Sequence, residues 1–125
     1  MANKIYDLED RFVEFAARVI DVVEALPNSR AGNYVAGQLI RCGLAPALLY
    51  GEAQSAESRD DFIHKMKIVL KELKETRVCH KLIIKKQMIK PPERLTEIRN
   101  ECEELVKIIS KSTDTARANN KKSQK

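Results

Sequence analysis

The chain has 125 residues, a mass of 14.2 kDa and a net charge of +5, and its 43% hydrophobic and 33% charged residues are typical of one folded domain. Only four glycines and four prolines interrupt it, so its apolar residues must lie in long elements, which we expect to be helices. The first residues lack an apolar secretory segment and no run of about 18 apolar residues occurs, so we expect neither a signal peptide nor a membrane span, and a cytoplasmic protein.

The first predicted helix runs from about Asp7 to Leu26. Apolar residues recur in it at spacings of three and four, which is the pattern of one buried helical face. That face consists of Leu8, Phe12, Phe15, Val19, Val22, Val23 and Leu26. Pro27 ends the helix because proline lacks the N–H that a further turn would need.

The second predicted helix follows Asn28 or Ser29, either of which can cap it by accepting a hydrogen bond from its first turn. Its apolar face consists of Val35, Leu39, Cys42, Pro46 and Leu49. Pro46 predicts a kink or a break in this helix, and residues 51–57 are predicted to form a loop. Small residues are frequent in the segment, so we expect another element to approach its backbone closely.

The third predicted helix begins after the capping residue Ser58 and runs from about Arg59 to Ile89. One side of it is apolar and forms the predicted core face, with Thr76 and Arg77 at the margins. This core face consists of Phe62, Met66, Val69, Leu73, His80 and Ile84.

A second apolar stripe lies on roughly the opposite face of the same helix and consists of Val78, Cys79, Leu82 and Ile89. A helix that is apolar on two sides must bury both or leave a patch exposed. We therefore predict that Val78, Leu82 and Ile89 contribute to an interface between copies of this chain. The alternative is that the helix bends or ends early near His80, so that the stripe folds back into the same core.

The fourth predicted helix follows Pro91 and Pro92, since proline is favourable in a first helical turn. Its buried seam consists of Leu95, Ile98, Cys102, Leu105 and Ile109. The residues after Ser112 are polar, basic and without periodicity, which predicts disorder. The sequence thus predicts an all-α, antiparallel up-and-down four-helix bundle over residues 1–112, with a disordered basic tail over residues 113–125.

The stretch from residue 38 to 73 carries features of a known family: Gln-Leu-Ile-Arg at 38–41, an Ala-rich run into Glu52, the capping Ser58, and Asp-Phe-Ile at 61–63. In these features it resembles the 23S rRNA intervening-sequence proteins, also called four-helix-bundle proteins. The resemblance implies a homo-oligomeric ring, commonly a pentamer. It also implies kinship with accessory proteins of retroelement reverse transcriptases, in which basic surfaces are thought to meet nucleic acid.

The motifs of enzymes and metalloproteins are missing from the sequence. It contains no Ser/His/Asp set, no glycine-rich phosphate loop and no second copy of the Asp61-x-x-His64 pair that a bundle metal site would need. Cys42, Cys79 and Cys102 are far apart in sequence, and reduced, packed thiols are the simplest interpretation. We expect no enzyme activity, no cofactor, no metal and no small-molecule substrate.

Arg77 and His80 lie at or near the core face of the third helix, where a charge must be paired. We interpret them as part of a buried polar network, with Glu52 as the predicted partner of Arg77. The alternative interpretation of His80 is a proton-transfer or phosphate site.

The positive charge is concentrated in residues 62–90, which hold 9 basic and 2 acidic side chains, a net of +7. Five lysines fall within one side of the third helix, spread over roughly 80° at about 100° per residue. They are Lys67, Lys71, Lys74, Lys81 and Lys85. Such a stripe can follow a phosphate backbone, whereas the alternative is a solvated face that only keeps the protein soluble.

Three hypotheses of function follow from these patterns. The leading one is a non-enzymatic, self-assembling helical-bundle module whose basic surface binds RNA, DNA or a nucleic-acid enzyme without sequence specificity. The second is a structural protein–protein adaptor that binds no nucleic acid. The third is an enzyme or metalloprotein that uses His80 or the cysteines.

Overall fold

The computed structural model describes residues 7–123, with side chains up to Lys121. In this part of the chain the protein is entirely helical, and the predicted all-α four-helix bundle is confirmed. Its helices are α1 (Leu8–Ala25), α2 (Arg30–Gln54), α3 (Arg59–Lys85) and α4 (Thr96–Ser123), with a short 3-10 helix (Pro92–Leu95) before α4. The helix α2 packs between α1 and α3, and α4 packs mainly against α3.

Each of the first three helices begins at a side chain that accepts a hydrogen bond from its first turn. Asp7 accepts from the N–H of Asp10, Ser29 from that of Gly32 and Ser58 from that of Asp61, at 3.2, 3.0 and 3.0 Å. These caps satisfy backbone donors that have no partner within the helix. Of the two caps predicted for α2, the structure selects Ser29.

The core is aliphatic and aromatic, and it consists largely of the predicted helical faces. Its fully buried side chains include Phe12, Phe15, Val19, Leu39, Met66, Val69, Leu73, Leu95, Leu105 and Ile109. The close approach expected at the small residues of α2 occurs at Gly43, where a Cβ atom would lie 2.6 Å from a methyl carbon of Val19. The helices α1 and α2 are therefore packed too closely at this point for any side chain on Gly43.

Of the kink or break predicted at Pro46, the break does not occur, because α2 is one helix from Arg30 to Gln54 with Pro46 buried inside it. The predicted loop at residues 51–57 was also placed too early, since the helix continues for four residues beyond Tyr50. Tyr50 and Ala53 are both buried, at 8% and 2% exposure. This burial past Pro46 stabilises the last turns of α2 in spite of the missing N–H at the proline.

The third helix ends at Lys85, before the predicted limit at Ile89. Its end is a Schellman motif, in which the N–H of Met88 donates to the Ile83 carbonyl at 2.9 Å and the N–H of Gln87 to the Ile84 carbonyl at 3.1 Å. Gln87 adopts the left-handed conformation that this motif requires, with φ at 52°. The turn directs Ile89 into the core, where it is 4% exposed. The assignment of Ile89 to an intermolecular interface is therefore wrong.

The fourth helix extends to Ser123, so the tail predicted to be disordered from residue 113 is helical as far as the structure describes it. Burial of Thr113 and a contact with α3 explain the extension. Thr113 is 3% exposed and its hydroxyl donates to the Ile109 carbonyl at 2.8 Å, and the Asn120 amide donates to a carboxylate oxygen of Asp60 at 2.6 Å. The segment also contains no glycine or proline to end the helix. Residues 124 and 125 of the predicted tail lie outside the described residues.

Candidate functional site

The five candidate lysines all lie on the exposed surface of α3. Three of them, Lys67, Lys71 and Lys74, line a groove of about 580 Å³ between α3 and α4, which we call the basic groove. Its remaining lining residues are Leu70, Glu75, Val78, Ser110, Thr113, Asp114 and Arg117. Lys81 and Lys85 are exposed farther along α3 and do not line this groove. The structure thus brings three of the five lysines together with Arg117, which lies in the segment predicted to be disordered.

The lysines of the basic groove are free of close ion pairs, whereas several arginines are paired between helices. Arg11 pairs with Glu101 at 2.8 Å and Arg41 with Glu72 at 3.1 Å. No carboxylate of residues 7–121 lies within 4.0 Å of the ammonium groups of Lys67, Lys71 or Lys74. Their charge is therefore available to an anion in solution.

The predicted pair between Glu52 and Arg77 is wrong. The guanidinium of Arg77 contacts Glu103 of α4 at 3.1 Å, and Glu52 instead lies near Lys65, whose pKa it helps to raise after the larger effect of Asp61. The antiparallel packing of α2 and α3 explains why Glu52 does not reach Arg77. It places the end of α2 beside the start of α3, several turns away from Arg77.

The residues of the second apolar stripe of α3 do not share one environment, because Val78 and Leu82 are exposed whereas Ile89 is buried. Val78 and Leu82 are 62% and 45% exposed and line a groove of about 290 Å³ between α2 and α3, which we call the apolar groove. Tyr34 of α2, at 67% exposure, forms part of the same groove. Helical periodicity could not identify Tyr34, because it lies outside the apolar face of α2 and becomes part of the groove only through the pairing of α2 with α3.

The two grooves lie side by side on the surface, and Glu75 and Val78 line both of them. The helix α3 thus presents cations toward α4 and apolar side chains toward α2. Glu75 is held on the side of α2 by Arg41, which contacts it at 3.3 Å. The pKa of Glu75 is lowered, first by a hydrogen bond with Glu72 and further by Arg41 and Lys71, so this carboxylate is ionised at neutral pH.

His80 is buried at 1% exposure, and neither ring nitrogen has a hydrogen-bond partner among residues 7–121. Burial, with a smaller contribution from the positive charge of Arg99, lowers its pKa to about 4, so the ring is neutral at pH 7. The predicted polar network around His80 and Arg77 does not form, because Arg77 is directed toward Glu103. The imidazole is instead a polar group within the core that has no hydrogen-bond partner among the described residues.

No group of three or more His, Cys, Asp or Glu side chains within the described residues is placed to hold a metal ion. None of the helices between residues 7 and 123 combines the length and apolar character needed to cross a membrane.

Comparison with known proteins gives a matching protein family and similar solved structures. The family model for the 23S rRNA-intervening sequence protein matches residues 5–111. The crystal structure of a protein of unknown function from the S23 ribosomal protein family of Bacteroides thetaiotaomicron VPI-5482 is similar, with 31% identity and a TM-score of 0.77. The match covers 84% of this chain and 96% of that one. No curated protein matches the chain significantly.

Proposed function

The chain belongs to the 23S rRNA-intervening sequence protein family, and we propose that it is a non-enzymatic, self-assembling module of the cytoplasm that binds nucleic acid through its basic groove. The observation that carries this proposal is the placement of Lys67, Lys71, Lys74 and Arg117 along one groove. Four cations there face two carboxylates, of which Glu75 is already paired with Arg41. The groove is therefore positive and complementary to a phosphate backbone.

The chemistry of the groove favours binding without sequence specificity. Lysine binds phosphate as a point charge and gives little bidentate recognition of base edges. The lining contains no aromatic side chain on which an unpaired base could stack. Affinity should therefore arise from phosphate contacts and fall steeply as salt is added.

Self-assembly is supported by the apolar groove. Tyr34, Val78 and Leu82 expose large apolar surfaces on adjoining helices, and contiguous patches of this kind mark interfaces in proteins of this size. We propose that a second copy of the chain covers this groove in a closed ring, of five subunits by resemblance to the family. A ring places the basic groove of every subunit beside an interface, because the two grooves share Val78.

Binding can be tested with fluorescently labelled RNA and DNA of mixed sequence at low salt. The variant with Lys67, Lys71 and Lys74 changed to glutamine should bind at least tenfold more weakly than the parent, because about three phosphate contacts are lost. A control variant with Lys86, Lys90 and Lys107 changed to glutamine alters the net charge equally at exposed positions outside the groove. Equal losses in both variants would show that only net charge matters, and an inactive parent would refute nucleic-acid binding.

Assembly can be tested by light scattering coupled to size-exclusion chromatography. The parent should elute as an oligomer of the 14.2 kDa chain, and Leu82→Asp should dissociate it because a carboxylate cannot be buried unpaired. Leu48→Asp is a matched control, since Leu48 is 70% exposed on α2 and lies outside the apolar groove. A monomeric parent at tens of micromolar would refute self-assembly, and dissociation by the control alone would place the interface elsewhere.

The adaptor function is the second candidate, and the apolar groove is the observation that favours it. Its lining is richer in apolar side chains than the basic groove and includes an exposed tyrosine, which is a residue enriched in protein–protein interfaces. An assembled protein that binds neither RNA nor DNA at low salt would support the adaptor function over nucleic-acid binding.

A further inference from the structure

Two of the three cysteines meet at the apolar groove. Cys42 of α2 and Cys79 of α3 both line it, although they are distant in the sequence. Their helices are fixed against each other at this level by Arg41, next to Cys42, which contacts Glu72 and Glu75 on the two turns of α3 before Cys79. Cys42 is 1% exposed, whereas Cys79 is partly exposed to solvent through the groove.

The two thiols interact, and this interaction shifts their pKa values in opposite directions. It lowers the pKa of Cys42 to about 7 in spite of burial, with further stabilisation of the thiolate by the Thr76 hydroxyl and the charge of Arg41. The same interaction, together with burial, raises the pKa of Cys79. Cys42 is therefore the more acidic thiol of the pair, and Cys79 is the thiol that solvent reaches through the groove.

Cys102 differs from this pair in every respect that matters for reactivity. It is 1% exposed, its thiol donates to the Leu73 carbonyl at 3.4 Å, and burial raises its pKa to about 12. It does not line the apolar groove. We expect it to remain a reduced thiol of the core.

We propose that Cys42 and Cys79 form a reversible redox site, which low-molecular-mass disulfides oxidise to a disulfide bond between α2 and α3. In the first step the accessible Cys79 thiol loses its proton to solvent and its sulfur attacks one sulfur of the small disulfide, whose S–S bond breaks and releases one small thiolate. In the second step the Cys42 thiolate attacks the Cys79 sulfur and expels the second small thiolate. Two protein thiols are oxidised, one small disulfide is reduced to two thiols, and the protein protons pass to the released thiolates.

The apolar groove is also the surface that we propose for self-assembly, so the oxidation should depend on whether Cys79 is covered. We expect the reaction on dissociated chains, and the experiment therefore uses full-length protein diluted until light scattering shows a monomer. This arrangement keeps the test independent of the proposed function, since a chain that is monomeric at every concentration can still carry the site.

The test equilibrates the reduced protein with mixtures of oxidised and reduced glutathione, quenches with acid and labels the remaining thiols for mass spectrometry. The parent has three free cysteines and should keep one free thiol after oxidation, that of Cys102, with peptides containing Cys42 and Cys79 linked. The ratio of disulfide to dithiol should exceed that of the urea-unfolded chain by more than about tenfold at the same glutathione poise. Cys42→Ser should instead retain one glutathione on Cys79, because the resolving sulfur is missing.

Cys102→Ala is the matched control and should still form the bond between Cys42 and Cys79. The proposal is overturned if the folded parent keeps all three thiols under conditions that oxidise the unfolded chain. It is also overturned if glutathione stays attached to the parent, or if the product is a disulfide between two chains. Because Cys79 is partly exposed, Cys79→Ser provides a folded variant that cannot form the bond even if the core variants are unstable.

Discussion

Replacing His80 with leucine tests the energetic cost of the unpaired imidazole in the core. Burial holds the folded-state pKa at about 4, against 6.5 for a free histidine. Between pH 6.5 and pH 4 the unfolded chain therefore binds a proton at His80 that the folded protein does not bind. The free energy of unfolding is highest above pH 6.5 and decreases as the pH drops from 6.5 toward 4. The shift corresponds to a total loss of about 3 kcal/mol, of which about 2 kcal/mol is lost between pH 7 and pH 5.

The assay is urea unfolding followed by circular dichroism at pH 7 and pH 5. Carboxylates also titrate in this range, so the informative quantity is the difference between proteins in their pH dependence. His80→Leu should lose about 2 kcal/mol less than the parent over this interval, because leucine cannot be protonated. His64→Gln is the control, since His64 is exposed, and it should follow the parent. If His80→Leu and the parent lose equal stability, His80 is not the buried neutral group that the structure describes.

Substitutions at four further positions test the packing by urea unfolding at pH 7. Gly43→Ala should cost about 1 to 3 kcal/mol because its methyl group would overlap Val19, whereas Gly37→Ala, with nothing within 4 Å, should gain up to about 1 kcal/mol; equal effects would contradict the close packing of α1 and α2. Gln87→Gly should gain about 0.5 to 1 kcal/mol by relieving the left-handed backbone, and Gln87→Ala should gain nothing. Leu73→Ala should cost about 2 to 5 kcal/mol, and a cost near zero would show that Leu73 is not a packed core residue.

The bundle could be predicted from the sequence because its core faces follow helical periodicity closely. Phe12, Phe15 and Val19 were placed in the core by spacing alone, and all three are fully buried. The end of α3 was predicted too late for a different reason. The left-handed position of a Schellman motif is usually a glycine, which can be recognised in a sequence, whereas in α3 it is Gln87. Only the tertiary fold shows that Ile89 then returns to the core.

The candidate site was predictable only in part, for a related reason. Exposure of Lys67, Lys71 and Lys74 follows from the helical wheel, but the groove that they line is completed by Thr113 and Arg117 on α4. Low apolar periodicity after Ser112 concealed this extension of the helix, which depends on the burial of Thr113 and a contact with α3 rather than on a buried stripe. The partner of Arg77 was missed in the same way, because single-helix patterns do not specify which turns of neighbouring helices face each other.

The dependence of nucleic-acid affinity on salt is the measurement that tests the proposed function most directly. For the parent, the logarithm of the binding constant should fall linearly with the logarithm of salt concentration. Changing Lys67, Lys71 and Lys74 to glutamine should make that slope shallower by about 2 to 3, because each phosphate contact contributes about 0.9 on duplex and 0.7 on single strands. An unchanged slope in this variant, with the fold intact, would contradict the assignment of the basic groove as the nucleic-acid interface.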